Sequence, residues 1–132
     1  MSREDVQMLA GLYEAGLRED WSVADELLAP DFQVRDRTLP EAAGPERGPD
    51  ALRAARSRMS EVFDDFGYEV EEAFDLGDRV LVRAHVFAHG RGSGLDLDGT
   101  MGHLWTFSEG RASQLDVYGT WEEALSAVRV QE

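Results

Sequence analysis

Between Tyr68 and Tyr118 strand-like runs follow one another with little between them but turns, and this constrains the fold more than any other feature of the chain. A run from Tyr68 to about Phe74 meets a Gly77-Asp78 turn, and a second run extends from Arg79 to about His89. The flexible stretch Gly90-Arg91-Gly92-Ser93-Gly94 leads into a long strand ending near Phe107. Ser108-Glu109-Gly110 then reverses the chain into a last strand, Ala112 to Tyr118. Strands joined by such short links point to a mostly antiparallel sheet, and such a sheet needs helices to cover its apolar face.

The flanking segments supply them. Val6, Leu9, Tyr13 and Leu17 recur at helical spacing between Arg3 and about Arg18, with Tyr13 facing inward. Ser22-Val23-Ala24-Asp25 has the form of a helix start, and Pro30 stops that short helix after Leu27 and Leu28. Phe32-Gln33-Val34-Arg35-Asp36 alternates as a short strand, with Asp36 on the face of Phe32 and Val34. Residues 37–48 hold Pro40, Gly44, Pro45 and Gly48 and read as a loop. Pro49 suits a first helical position, and Leu52, Ala55, Met59, Val62, Phe63 and Phe66 carry a helical stripe to Gly67. Thr120-Trp121-Glu122-Glu123 opens a terminal helix as a capping box. The order predicts a single α+β domain over residues 1–132, a curved, mostly antiparallel sheet with helices on one face.

Composition narrows the chemistry. The 132 residues carry a formal charge of −14, which repels polyanions at long range and argues against nucleic acid and against an anionic membrane. All 13 basic residues are Arg, with neither Lys nor Cys present, so Schiff bases, thiol nucleophiles, disulfides and Cys-ligated metals are excluded. The start lacks an apolar leader and no apolar run is long enough to span a bilayer, which predicts a soluble, cytoplasmic protein.

The Gly-rich stretch has no Lys to make a phosphate loop and reads as a hairpin connection. His85 and His89 lie on one strand, where four residues span about 13 Å, too far for one ion, so no metal or other cofactor is expected. With Arg83 they belong to the face opposite Val80, Val82, Ala84, Val86 and Ala88. No Gly-x-Ser-x-Gly elbow is present. Two polar residues interrupt apolar faces instead: Asp36 at the end of the Phe32/Val34 face, and His103 among Met101, Trp105 and Phe107. Facing a concave sheet, they form the one acid–base pair the pattern supplies, with Tyr13 as a polar tip on the inner face of the first helix.

These residues carry a likeness. The early Tyr helix, the Pro-ended helix, Ala29-Pro30-Asp31-Phe32-Gln33-Val34-Arg35-Asp36, a loop into Arg47-Gly48-Pro49-Asp50-Ala51-Leu52-Arg53, Gly77-Asp78-Arg79-Val80-Leu81-Val82-Arg83, and His103-Leu104-Trp105-Thr106-Phe107-Ser108-Glu109-Gly110-Arg111 together resemble the nuclear transport factor 2-like superfamily. Within it the chain looks most like the SnoaL-like group of polyketide cyclases. The resemblance implies a cone-shaped, cystatin-like α+β barrel with helices on the concave face of its sheet. It also implies a pocket for a small apolar molecule, walled by Trp105, Phe63, Met59, Phe32 and Val117, and a homodimer through the outer sheet face. Exposed-parity Leu81 and Phe87 would supply the apolar part of that interface.

Carried over from ketosteroid isomerases, the first-helix Tyr falls on Tyr13, the general-base Asp on Asp36 and the protonated Asp on His103. Arg37 stands where those enzymes have Pro after the base. The implied function is cofactor-independent proton transfer next to a carbonyl, with Asp36 as base and Tyr13 and His103 as donors to the enolate oxygen. The alternatives are epoxide opening by water activated by Asp36 or Asp116, and a pocket that only binds a ligand or partner. SnoaL-like cyclases and epoxide hydrolases place an acid on the last strand at a position resembling Val117, one from Asp116. A three-residue turn with Gly110 in a bulge would send Leu115 and Val117 inward, the arrangement their apolar character favours. A two-residue Glu109-Gly110 turn would set Asp116 beside His103.

Overall fold

The computed structural model describes residues 3–39, 44–92 and 94–131. The elements run α1 (Arg3–Leu17), α2 (Ser22–Leu27), β1 (Leu28–Asp36), β2 (Glu46–Arg47), α3 (Ala51–Val62), β3 (Phe63–Asp75), β4 (Arg79–Gly90), β5 (Asp96–Ser108), β6 (Arg111–Tyr118) and α4 (Trp121–Gln131). The strands form one curved, unclosed sheet in the order β2-β1-β6-β5-β4-β3, antiparallel throughout except where β1 lies parallel to β6. The expected α+β fold is therefore present. No described helix is long and apolar enough to cross a membrane.

Several boundaries differ from the periodicity reading. The helical stripe of α3 ends at Val62, and Phe63 and Phe66 belong to β3, where Phe63 pairs with Gly90 and Asp64 with His89. Asp64 and Asp65 would place two negative charges at the negative end of the helix dipole, and β4 offers the backbone its hydrogen bonds instead. A bulge between Asp64 and Gly67, with Asp65 at φ 53°, turns the chain into the sheet. Pro49 precedes the N-cap residue Asp50. At α2 the N-cap is Trp21 rather than the Ser22 that the sequence suggests, and Asp20 just before it accepts from Ser22 N at 3.1 Å and from the Ser22 hydroxyl. The loop between β1 and α3 contains the two-residue β2, paired with Gln33 and Val34. Pro40 lies outside the described residues, as does Ser93 in the β4–β5 connection. The Thr120 cap is made, its hydroxyl accepting from Glu123 N at 3.1 Å.

Alternation along β4 and β5 divides the helices between two faces. Val80, Val82 and Ala84 join Trp105, Phe32, Val34, Leu115 and Val117 in the main core beneath Leu9 and Leu12 of α1 and Leu27 of α2. Leu81 and Leu104, one residue out of phase, pack with Ala124 and Val128 of α4 on the opposite face. The fourth helix thus departs from the expected grouping of all helices on the concave side. It also buries Leu81 to 3% exposure, which removes that residue from the proposed dimer surface. Gly102 permits this approach, because a Cβ there would lie 2.1 Å from the Ala124 Cβ. Beyond α4 the outer face carries the cross-strand pairs His85–Asp98 at 2.6 Å and His89–Asp96 at 2.7 Å. Those carboxylates hold both imidazoles above their ordinary pKa.

Candidate active site

The inner face of the sheet, α1 and α3 enclose a cavity of about 700 Å³ with predominantly apolar walls, a size suited to a small organic molecule. Register decides what enters it. Val82 lies opposite His103, Val80 opposite Trp105, and His103 opposite Val117, so these side chains share the concave face. The parallel pairing of Asp36 with Val117 and of Val34 with Leu115 extends that face to the end of β1. Asp36, Tyr13, His103, Trp105, Met59 and Val117, all named in the sequence reading, line the cavity.

The β5–β6 hairpin reaches this arrangement by an unexpected route. Ser108 pairs with Arg111, so the turn is the two-residue Glu109-Gly110, at φ 53° and 80°. Alone, that turn would bring Asp116 opposite His103. An extra residue in β6 between the pairs Thr106–Gln114 and Phe107–Ala112 shifts the register by one, and the Ser113 hydroxyl donates to Thr106 O at 3.2 Å beside it. Leu115 and Val117 therefore face inward although the turn is the other one.

Asp116 points to the opposite side. Its Oδ1 accepts from Arg37 Nε at 3.1 Å and Nη2 at 2.9 Å, and its Oδ2 from Gln114 Nε2 at 2.7 Å. Pairing and hydrogen bonding compensate the burial of its carboxylate, which stands apart from the cavity. Phe32 is fully buried behind Trp105, with ring centroids 6.0 Å apart, and Phe63 packs beside Phe66. Neither belongs to the cavity wall, because Phe32 is a core residue under it and Phe63 has moved into β3.

The polar groups of the cavity have defined proton positions. Trp105 Nε1 can only donate, and it reaches the Tyr13 hydroxyl at 3.0 Å. The Tyr13 proton is left for His103 Nδ1, 2.6 Å away, which must be the unprotonated ring nitrogen. Burial holds the imidazole neutral, its pKa pushed down to about 4, so its one hydrogen sits on Nε2. That Nε2 is buried and has no acceptor among the described residues. The single Tyr13 hydrogen is thus engaged with His103 Nδ1, whereas the sequence reading gave it to the enolate oxygen.

Asp36 is half-buried at the cavity wall. Its Oδ1 accepts from Thr38 N at 2.9 Å and from the Thr38 hydroxyl, which leaves Oδ2 without a donor among the described residues. Arg37, the residue that replaces the usual Pro, turns its side chain away to Asp116. The cavity wall also holds Tyr68 and Arg56, which the sequence reading did not single out. Tyr68, on β3, stacks edge-on with His103 at 4.7 Å, and burial together with the negative charge of Asp36 raises its hydroxyl pKa. Arg56 sits on the Leu52-Ala55-Met59 side of α3. The alternation of Tyr68 with Val70 and the spacing of Arg56 from Leu52 and Met59 were the available signals for both.

Comparison with known proteins bears on the fold and the family. Among solved structures, the chain is similar to a protein from Jannaschia sp. CCS1 described as a SnoaL-like polyketide cyclase, with 20% identity over 96% of this chain and 94% of that one and a TM-score of 0.75. A nuclear transport factor 2-like protein from Burkholderia thailandensis is 19% identical over 97% of each chain, with a TM-score of 0.76. TerC, crystallised with polyporic acid, is 17% identical over 93% of this chain and 95% of its own, with a TM-score of 0.73. At these identities the likeness establishes the fold. A search of curated proteins finds no match. The family model described as a SnoaL-like domain matches residues 9–115, so the chain belongs to the SnoaL-like family of the nuclear transport factor 2-like superfamily.

Proposed function

We propose that the protein is a cofactor-independent acid–base enzyme that isomerises or cyclises a small, largely apolar carbonyl compound, in keeping with cyclase-named relatives of the same fold. The observation that carries this reading is His103 Nε2–H, a buried donor with no acceptor among the described residues, in the wall of an apolar cavity that also holds the Asp36 carboxylate. An unsatisfied buried donor costs free energy that a ligand oxygen would recover. The Asp36 carboxylate takes a proton from the carbon next to the ligand's carbonyl, and the electron pair moves onto the carbonyl oxygen. The Nε2–H of His103 donates to that oxygen as charge develops on it, without imidazolium being needed. Where a carbon–carbon double bond adjoins the deprotonated carbon, returning the proton from Asp36 to the far end of that double bond gives isomerisation; attack of the enolate carbon on a second carbonyl, with the same proton passing to the alkoxide that forms, gives ring closure. The tyrosine hydroxyls stay protonated, Tyr13 fixing the imidazole and Tyr68 lying beside the reacting groups.

Deuterium exchange into tetralone in heavy water, followed by NMR, tests this without knowledge of the natural substrate. The wild-type protein accelerates exchange at the carbon next to the carbonyl, and Asp36→Asn and His103→Phe each lower that rate by about 10² or more while remaining folded. The amide introduced by Asp36→Asn keeps an oxygen for the Thr38 donors, so the melting temperature of that variant stays near the wild-type value. Wild-type exchange in either folded variant overturns the reading.

A further inference from the structure

Arg56 has a buried donor for which the described residues supply no acceptor. It lies four residues after Leu52 and three before Met59, which puts it at the cavity side of α3. Nη1 donates to the carbonyl of Gly16 at 3.1 Å, near the C-terminus of α1, and the guanidinium carbon lies 5.7 Å from the centre of the Phe66 ring. These contacts account for one nitrogen and one face. Nε is buried with no acceptor, and no carboxylate comes within ion-pair distance of Arg56 among the described residues. Its neighbour in the cavity wall, Arg58, is paired with Glu46.

The free edge of the guanidinium, Nε–H with Nη2–H, has the geometry that takes a carboxylate through two parallel hydrogen bonds. An apolar surrounding strengthens such a pair and makes an unfilled edge costly. Resting on the proposed reading of the cavity as a carbonyl-processing site, we infer that the ligand is an apolar ring system bearing a carboxylate, held by the Nε–Nη2 edge of Arg56 while Asp36 and His103 act on its carbonyl. The net charge of −14 repels an anion at long range, so the selectivity for an acid arises locally, at this one residue.

Calorimetric titration with naphthoate and with methyl naphthoate tests the inference, because the two probes share a ring system and differ in the carboxylate. Wild-type protein should bind the acid about tenfold or more tighter than the ester. Arg56→Met keeps the aliphatic stem over Phe66 and removes the donors, so acid affinity falls to that of the ester while ester affinity stays as in wild type. Arg56→Lys keeps the charge without the paired edge, so its preference for the acid falls between those of wild type and Met. Equal wild-type binding of acid and ester overturns this inference and leaves the cavity reading standing. Binding of neither probe to the wild-type protein overturns both. An unchanged preference for the acid in folded Arg56→Met or Arg56→Lys also overturns the inference, by showing that another group holds the carboxylate.

Discussion

Tyr13 on α1 donates its hydroxyl hydrogen to Nδ1 of His103 on β5 across 2.6 Å, and this bond, between residues 90 positions apart, settles which imidazole nitrogen carries the proton. Removing the hydroxyl leaves both Trp105 Nε1 and His103 Nδ1 without their partner. Tyr13→Phe is therefore expected to lower stability by about 1–3 kcal/mol. The ¹⁵N shifts of His103 should change from a single Nε2–H tautomer to a mixture, a change that loss of packing alone would not produce.

The same histidine gives stability a pH dependence of known sign. Its folded pKa of about 4 lies below the unfolded value of 6.5, so between the two the unfolded chain binds more protons. Its contribution is complete above pH 6.5 and declines as pH falls toward 4, by about 3 kcal/mol in all. His103→Phe should flatten this part of the curve in chemical denaturation between pH 7 and 4, and an unchanged slope would contradict the assignment. His85 and His89 have the opposite sign: their pKa values are raised, so their contribution is present below pH 6.5 and lost as pH rises through the folded values.

The Asp116 carboxylate is held by Arg37 and Gln114. Arg37→Ala leaves it buried with only Gln114 as donor, and a loss of about 1–3 kcal/mol is expected, tempered by the exposure of the Arg37 side chain. Because the pair lies on the far side of β6 from the cavity, the exchange rate per folded molecule should stay at the wild-type level. A selective loss of catalysis in Arg37→Ala would place Asp116 in the mechanism.

Gly102 is where α4 meets the sheet. Gly102→Ala drives a methyl group into Ala124 and is expected to cost about 1–3 kcal/mol, with faster amide exchange concentrated in α4. Ligand affinity should change little, because the cavity occupies the other face of β5. Gly102→Ala combined with Ala124→Gly should recover part of the loss.

Local periodicity was sufficient for much of this. The spacing of Val6, Leu9 and Tyr13 located α1, the alternation of Phe32, Val34 and Asp36 gave the facing of β1, and the break at His103 marked the polar group on an apolar strand. Each of these signals is carried by neighbours in the chain, so a single sequence contains it. The preference of Leu115 and Val117 for the core was equally local, and it held even though the turn was of the other type.

Tertiary structure decided the rest. The extra residue in β6 sets the register between two strands, a property of their pairing which neither strand's pattern encodes. The end of α3 at Val62 was decided by the hydrogen bonds that β4 offered to Phe63 and Asp64, against a helical stripe that continued to Phe66. Leu81 is covered because α4 returns across the outer face, some forty residues later in the chain. The roles proposed for Tyr13, His103 and Arg56 rest on which donors are taken and which remain free among the described residues, and those partners lie on separate elements. A residue's type states what bonds it can make, while the folded neighbourhood determines which of them are left for a ligand.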